Sequence, residues 1–266
     1  MSDTARLLII AGSDSSGGAG LQADLKTAQR FGVYAQTAVT AVTVQNTLGV
    51  TAIQAMAPEI VRGQIRAALE DIGADAIKIG MLANAGIAAA VAEALDEIDI
   101  PVVLDPVLVS TSGSLLLEPA ALDILKHRLL PRAALVTPNL PESQALVGIL
   151  PTDDHSVHQA AQAFALLGAG RVLFKGGHDT GAVVRDILTD VDAPSLIMEA
   201  PRQETRNTHG TGCTLASAVA AGLAKGLALG QAAEAAKAYV SAAIAGADRL
   251  KVGHGIGPVH HFHDRW

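Results

Sequence analysis

The feature that most restricts the fold of this chain is an alternation: short β-branched or leucine-rich runs are separated by longer stretches with apolar residues at helical spacing. "RLLIIAG" (6–12), "AQTAVTAVTVQ" (35–45), "DAIKIG" (75–80), "PVVLDP" (101–106), "AALVTPN" (133–139) and "RVLFKGG" (171–177) read as strands. Between them, "GLQADLKTAQRFG", "PEIVRGQIRAALEDIG", "NAGIAAAVAEALDEI", "EPAALDILKHRLL" and "HSVHQAAQAFALLGAG" read as helices. Repeated strand, helix, strand units require right-handed crossovers, and so an α/β fold with a mostly parallel sheet covered on both faces. From 182 to 200, "AVVRDILTD" and "SLIMEAP" read instead as a hairpin, and two helices, 210–226 and 230–248, close the chain. No repeat and no long linker breaks the pattern, so one domain over residues 1–266 is expected.

Half of the 266 residues are hydrophobic, enough for a substantial core. The net charge of -7, from 19 basic and 26 acidic residues with no basic block, argues against nucleic acid or an anionic membrane as the main partner. The most apolar run, "TLASAVAAGLAKGLALG", is rich in Ala and Gly and interrupted by Lys225, which fits a buried helix better than a membrane span. A single cysteine cannot form an internal disulfide, and "MSDTARLLII" lacks the basic-then-apolar pattern of a signal peptide. A cytoplasmic protein is expected.

In an open parallel sheet, ligands bind at the carboxyl ends of the strands. Those positions hold residues 12–20, Gln45, Met81, Asp105, Asn139 with Glu142, Lys175 and the turn at Gly210. A glycine turn, a lysine, carboxylates and a helix start are groups that handle phosphate. In "NTHGTGC" (207–213), the unpaired N–H groups of a first helical turn suit an anion at Gly210, Thr211, Gly212 and Cys213. Capping of the helix by Thr208 explains the same residues without a ligand. Lys175 either offsets phosphate charge or is a solvated strand-end lysine. Asn139, Pro141 and Glu142 form a helix-start signature that capping alone explains; in a nucleotide site, Asn139 and Glu142 would also hold waters of Mg²⁺ on ATP. Asp105 is a turn former before Pro106, or a carboxylate that orients a metal or a lysine. "AGSDSSGGAGLQADLK" matches neither a Walker A motif nor a dinucleotide fingerprint. It reads as a wall or lid over a small substrate with Asp24 facing inward, or as a Ser-capped turn with Asp24 on the surface.

Taken together, "AGSDSSGGAGLQADLKT", "VQNTLGV", "KIGML", "VLDPV", "LVTPNLPE", "KGGH", "NTHGTGCTLASA" and "VGHGIGPVHHFH" resemble the bacterial hydroxymethylpyrimidine/phosphomethylpyrimidine kinases of the ribokinase-like superfamily. The likeness runs from about residue 7 to the end, and the cysteine-ended "GTGC" with "VQNT" and "KIGML" is its most specific part. It implies a three-layer ribokinase-like α/β domain, a homodimer, and phosphorylation of 4-amino-5-hydroxymethyl-2-methylpyrimidine by ATP with Mg²⁺, first to the monophosphate and then to the diphosphate, in thiamine biosynthesis. It also implies that Gln45 pairs with the aminopyrimidine, whose donors and acceptors match a carboxamide, and that Asp24 and Met81 complete that pocket. Lys175, Asn139 and Thr208 would face the nucleotide, Glu142 and Asp105 the metal, and Gly210, Thr211, Gly212 and Cys213 the transferred phosphoryl group.

Most sugar kinases of this superfamily end the same turn with aspartate, which takes the proton of the acceptor hydroxyl; this chain has Cys213. A helix N-terminus lowers a thiol's pKa, so a thiolate base near neutral pH is feasible, and Cys213 either acts as that base or only positions the acceptor. The base need not be strong, because phosphoryl transfer is largely dissociative. A neutral thiol, unlike aspartate, also tolerates an acceptor that is itself a phosphate. The alternative is a cysteine packed as a small apolar residue. His260, His261 and His263 invite a metal reading, but no carboxylate pattern supports them, and docking of a terminal segment is expected. Two other functions fit the same residues. One is a pyridoxine or pyridoxal kinase; the other is a non-catalytic binder of a vitamin precursor, which would have no need of Lys175, Asn139, Glu142 and the anion turn.

Overall fold

Successive residues of the first strand point to opposite faces of the sheet, and each face carries its own core. A computed structural model describes residues 4–109, 113, 116–178, 181–191 and 193–266. Along β1 (Arg6–Asp14), Leu8 and Ile10 enter one cluster while Leu7, Ile9 and Ala11 enter the other. The same period of two recurs in β4 (Ala76–Ile79), β5 (Val102–Leu104), β6 (Leu135–Val136) and β7 (Arg171–Phe174). One layer is α2 (Pro58–Ala67), α3 (Ala85–Leu95), α4 (Ala121–Ile124), α5 (Leu140–Val147) and α6 (Asp154–Leu166); the other is α1 (Gly20–Arg30), α7 (Thr211–Ala224) and α8 (Leu229–Ala245). The fold is the expected three-layer α/β arrangement, and the small residues of α7 explain its near-complete burial: Ala216, Ala218, Ala220 and Ala221 are all 0% exposed.

The sheet has nine strands in the order β3-β2-β1-β4-β5-β6-β7-β8-β9, where β2 is Tyr34–Asn46, β3 Gly49–Ala55, β8 Val183–Asp190 and β9 Ala193–Pro201. Pairing is parallel from β2 through β7, and β8 and β9 form the expected antiparallel hairpin. The antiparallel edge strand β3 is absent from the sequence reading; its residues 51–54 are exposed, so no buried alternation marks it. The helix expected over "TPNLPE" is α5. Helices α2 and α4 each continue through a wider π-type turn, Ala68–Ile72 and Leu125–Leu129.

The chain leaves β1 toward β2 on one side and later returns to β4 on the other. That reversal opens a crevice at the carboxyl ends of β1 and β4, where this class of sheet binds its ligands. No described helix is long and apolar enough to cross a membrane. The terminal histidines diverge. His260 Nε2 lies 2.9 Å from the Trp266 carbonyl oxygen, His261 Nε2 lies 3.0 Å from Thr214 Oγ1, and the His263 ring tilts against Tyr239. They dock the tail, and no group of three or more His, Cys, Asp or Glu among the described residues could hold a metal ion.

Candidate active site

The turn at 207–213 is shaped by what it touches. Gly210 is the N-cap of α7 with φ 83°, and a side chain there would stand 1.9 Å from the Gly18 carbonyl oxygen, so only glycine fits. No side chain caps the helix. The Thr208 cap is therefore not formed; instead its carbonyl accepts the Thr211 amide at 3.2 Å and the Thr211 hydroxyl at 2.7 Å, leaving the Thr208 side chain on the exposed surface. Gly212 follows, and a methyl group in its place would lie 3.3 Å from Lys175 Nζ and 3.7 Å from Asp105 Oδ2. The start of α7 and the ends of β5 and β7 thus meet at one point.

Lys175 is not a solvated strand-end lysine. Its side chain is 13% exposed, donates to Asp105 Oδ1 at 2.7 Å and lies 3.6 Å from Glu142 Oε2. Thr137 also donates to Asp105 Oδ1, at 3.0 Å. Burial disfavours the ammonium, but Asp105 and Glu142 overcome it and push the Lys175 pKa above its ordinary value, so the charge is permanent. Burial raises the Glu142 pKa, with Lys175 opposing it. Asn139 and Glu142 form a reciprocal capping box at α5, with both bonds at 2.8 Å. Capping and proximity to Lys175 coexist in the same residue.

Two expectations need correction. Asp24 does not line the crevice: it is 0% exposed, with Oδ2 on Lys78 Nζ at 2.8 Å and Oδ1 on Ser217 Oγ at 2.7 Å. Both oxygens are committed to the interior, so Asp24 supports the site from below. Cys213 is not held as a thiolate by its helix. Burial pushes the thiol up to about 12, Asp24 and Asp105 add to this, and Lys78 with the Gly20 amide only partly offsets it. The helix terminus is outweighed first by burial and then by the two carboxylates.

Just past the end of β4, Met81 is buried, its carbonyl accepts from Thr40 Oγ1 at 2.6 Å, and its sulfur occupies the space beside Gly12. Gln45, at the end of β2, accepts from Thr43 Oγ1 at 3.1 Å, and its Nε2 lies 3.3 Å from His209 Nε2. His209 in turn lies 2.8 Å from Asp14 Oδ2. Burial works against the Asp14 carboxylate, but His209, Ser16 and the Ala19 amide hold it down to about 2. As an anion it can only accept, so His209 Nε2 carries the proton. A cavity of about 420 Å³ is bordered by Asn207, Asp248 and Lys251; Gln45, Met81, Asp105, Asn139, Glu142, Lys175 and the Gly210–Cys213 turn do not line it.

Residues 14–260 match the family model described as phosphomethylpyrimidine kinase. The chain belongs to that family. Among its relatives, the hydroxymethylpyrimidine/phosphomethylpyrimidine kinase of Rhizobium meliloti is 50% identical over 99% of both chains. The phosphomethylpyrimidine kinase of Clostridium difficile superposes with a TM-score of 0.78 at 38% identity, covering 90% of this chain and 99% of the other. An ADP complex of Bacillus subtilis pyridoxal kinase superposes with a TM-score of 0.89 at 35% identity, covering 98% and 99%. The fold is ribokinase-like and the chain is a kinase of small molecules.

For a phosphomethylpyrimidine kinase, the sequence reading missed Asp14, Lys78, Thr137, His209 and Ser217. The only signal for Lys78 was a lysine at an interior position of the short run "DAIKIG". Asp14 and His209 lie 195 residues apart, and nothing local announces their contact.

Proposed function

We propose that this one site carries out two successive transfers from MgATP, first to the hydroxymethyl group of 4-amino-5-hydroxymethyl-2-methylpyrimidine and then to the resulting monophosphate. The observation that carries the proposal is the meeting of the uncapped α7 start with Lys175: a methyl group on Gly212 would sit 3.3 Å from its ammonium. An anion there faces backbone N–H groups and a permanent positive charge together. Gln45 and Met81 take the pyrimidine, Asn139 and Thr208 the nucleotide, and Gly210, Thr211, Gly212 and Cys213 surround the phosphoryl group. Asp24 acts only through Lys78 and Ser217.

Asp105 and Glu142 suit a hydrated Mg²⁺. Both are hard oxygen donors, and both already contact Lys175, so they fit an ion that keeps its own waters rather than one stripped into a protein cage. When bound, Mg²⁺ would neutralise charge on the nucleotide phosphates. Cys213 enters as a neutral thiol that positions the acceptor. A loose transition state needs little early deprotonation, and an uncharged group does not repel the phosphate acceptor of the second step. The reaction draws on MgATP and suits the cytoplasm.

The chain would act as a homodimer through the outer face of the β2–β3 hairpin. Val42 and Val44 of β2 are 45% and 60% exposed there, an apolar surface beside the edge strand β3.

The test is MgATP-dependent ADP release with the hydroxymethylpyrimidine, its monophosphate and pyridoxine as separate acceptors, with products resolved by mass. Turnover of the first two, ending in a diphosphate, is expected. Turnover of pyridoxine alone would keep the phosphate machinery but assign Gln45 and Met81 to a pyridine ring. No turnover with any acceptor would leave a binder.

A further inference from the structure

His209 is the residue before Gly210, and the loop after β1, the end of β2 and the tail all meet at it. It is 6% exposed. Its backbone amide donates to the Gly257 carbonyl at 3.0 Å and its carbonyl accepts from Val259 at 3.2 Å, so the tail holds it from one side. Gly18 closes the other, since a methyl group there would stand 2.5 Å from His209 Cδ2. His209 Nε2 lies 2.8 Å from Asp14 Oδ2, an oxygen that also accepts from the Gly18 and Ala19 amides. Because that oxygen accepts, Nε2 bears a proton whether the ring is neutral or charged. Gln45 meets this proton the wrong way round. Ser15 Oγ anchors the Gln45 backbone, accepting from its amide at 2.9 Å and donating to its carbonyl at 2.8 Å, which leaves the carboxamide to turn. With the carboxamide nitrogen 3.3 Å from His209 Nε2, donor faces donor. Turned over, its carbonyl accepts from His209 and its nitrogen donates to Thr43 Oγ1, whose own proton goes to the Ser13 carbonyl at 3.0 Å. Both contacts are then satisfied.

We propose that His209, held by Asp14 as an N–H donor, is a positioning residue that fixes the Gln45 carboxamide with its carbonyl on the His209 side and its nitrogen toward Thr43, and so decides which way round the acceptor ring is read. It rests on the reading of Gln45 as the group that takes the aminopyrimidine. A carboxamide pairs with such a ring by accepting from the 4-amino group and donating to the adjacent ring nitrogen. The hydroxymethyl group is attached on the opposite side of the amino-bearing carbon from that nitrogen. With the carbonyl on the His209 side, the amino group and the hydroxymethyl group beyond it are directed toward Gly210 and the start of α7. With the carboxamide reversed, the same pairing directs them toward Thr43 and away from the turn. His209 thereby couples recognition of the ring to placement of its reacting oxygen. It also selects against a 4-oxo ring, which offers an acceptor where the amino ring has a donor and a donor where it has an acceptor; such a ring reaches the turn only with the carboxamide reversed.

The experiment measures kcat/KM with MgATP for the hydroxymethylpyrimidine and for its 4-oxo analogue in the wild type, His209→Leu and His209→Gln. A distorted turn lowers both values by one factor, whereas a carboxamide free to turn changes their ratio. The wild type is expected to prefer the amino ring by at least about 10²-fold, as a site built on hydrogen bonds does. His209→Leu has similar bulk and no donor, and should shrink that preference by at least about tenfold, the cost of one buried polar group left unpaired. His209→Gln again offers an N–H and should keep most of the preference. An unchanged preference in folded His209→Leu would overturn the inference, and so would an equal loss in His209→Leu and His209→Gln. If His209→Leu does not fold, Thr43→Val removes the acceptor for the carboxamide nitrogen at similar volume and outside the α7 turn: the preference must shrink there too, and an unchanged ratio again overturns the inference. A wild type that phosphorylates neither pyrimidine would overturn the reading of Gln45 itself and this inference with it, a result distinct from any change of ratio among the variants.

Discussion

Lys175 Nζ donates to Asp105 Oδ1 at 2.7 Å, joining the carboxyl ends of β7 and β5 directly beside the start of α7. The same ammonium leans toward Glu142, so one cation balances two carboxylates while facing the turn that would hold the phosphoryl group. Lys175→Met is expected to lower kcat by about 10²- to 10³-fold, the usual effect of losing one preorganised group at a developing charge. A larger effect on kcat than on KM, measured with saturating MgATP, is the expected signature. A variant that raised KM alone would make Lys175 a binding group only.

The Asp14 carboxyl is held at about 2, against 3.8 ordinarily, despite burial. Its folded-state pKa is depressed, so its stabilisation is present above the ordinary value and is lost as pH falls through the interval toward 2. Asp14→Asn should therefore cost about 2 kcal/mol near neutral pH, with the gap to wild type narrowing below about pH 4. Urea unfolding of both proteins from about pH 7 to pH 3 measures this. A gap that stayed constant across that range would mean that Asp14 matters for its shape and not for its charge. The same substitution frees His209 beside Gln45, so a rise in acceptor KM is expected with it.

Much of the fold was legible because β1 and β4 to β7 are covered on both faces, which leaves unbroken apolar runs such as "RLLIIAG" and "RVLF" bounded by glycine. Edge strand β3 has no such signal: it pairs only with β2 and shows most of its side chains to solvent. At the site, groups that sit in recognisable local patterns were found. Asn139 and Glu142 are three residues apart, and Gly210, Thr211 and Gly212 are consecutive. Groups that act as pairs across the fold were not. Asp24 looked like a pocket residue because its partners, Lys78 and Ser217, lie 54 and 193 residues away. Cys213 looked activated because a helix start is visible in sequence, whereas the burial of its thiol and two distant carboxylates are not.

The exposed face of the β2–β3 hairpin makes a separate claim about assembly. Val44→Asp, alone or with Val42→Asp, should convert a dimer to monomers in sedimentation velocity while leaving the buried face of β2 intact. Because Gln45 adjoins Val44, the acceptor KM is expected to rise with dissociation while the ATP KM holds. A monomeric wild type at micromolar concentration would dismiss this interface.

The central claim is that one site serves an alcohol and then its phosphate because the group ending the α7 turn carries no charge. The most direct measurement is the ratio of the two transfer rates, hydroxymethylpyrimidine against its monophosphate, in the wild type and in Cys213→Asp. Aspartate is expected to spare the alcohol step and lower the monophosphate step, so that the ratio shifts by at least about tenfold, the effect of roughly 1.4 kcal/mol of added repulsion. Two rates that changed by the same factor would contradict it.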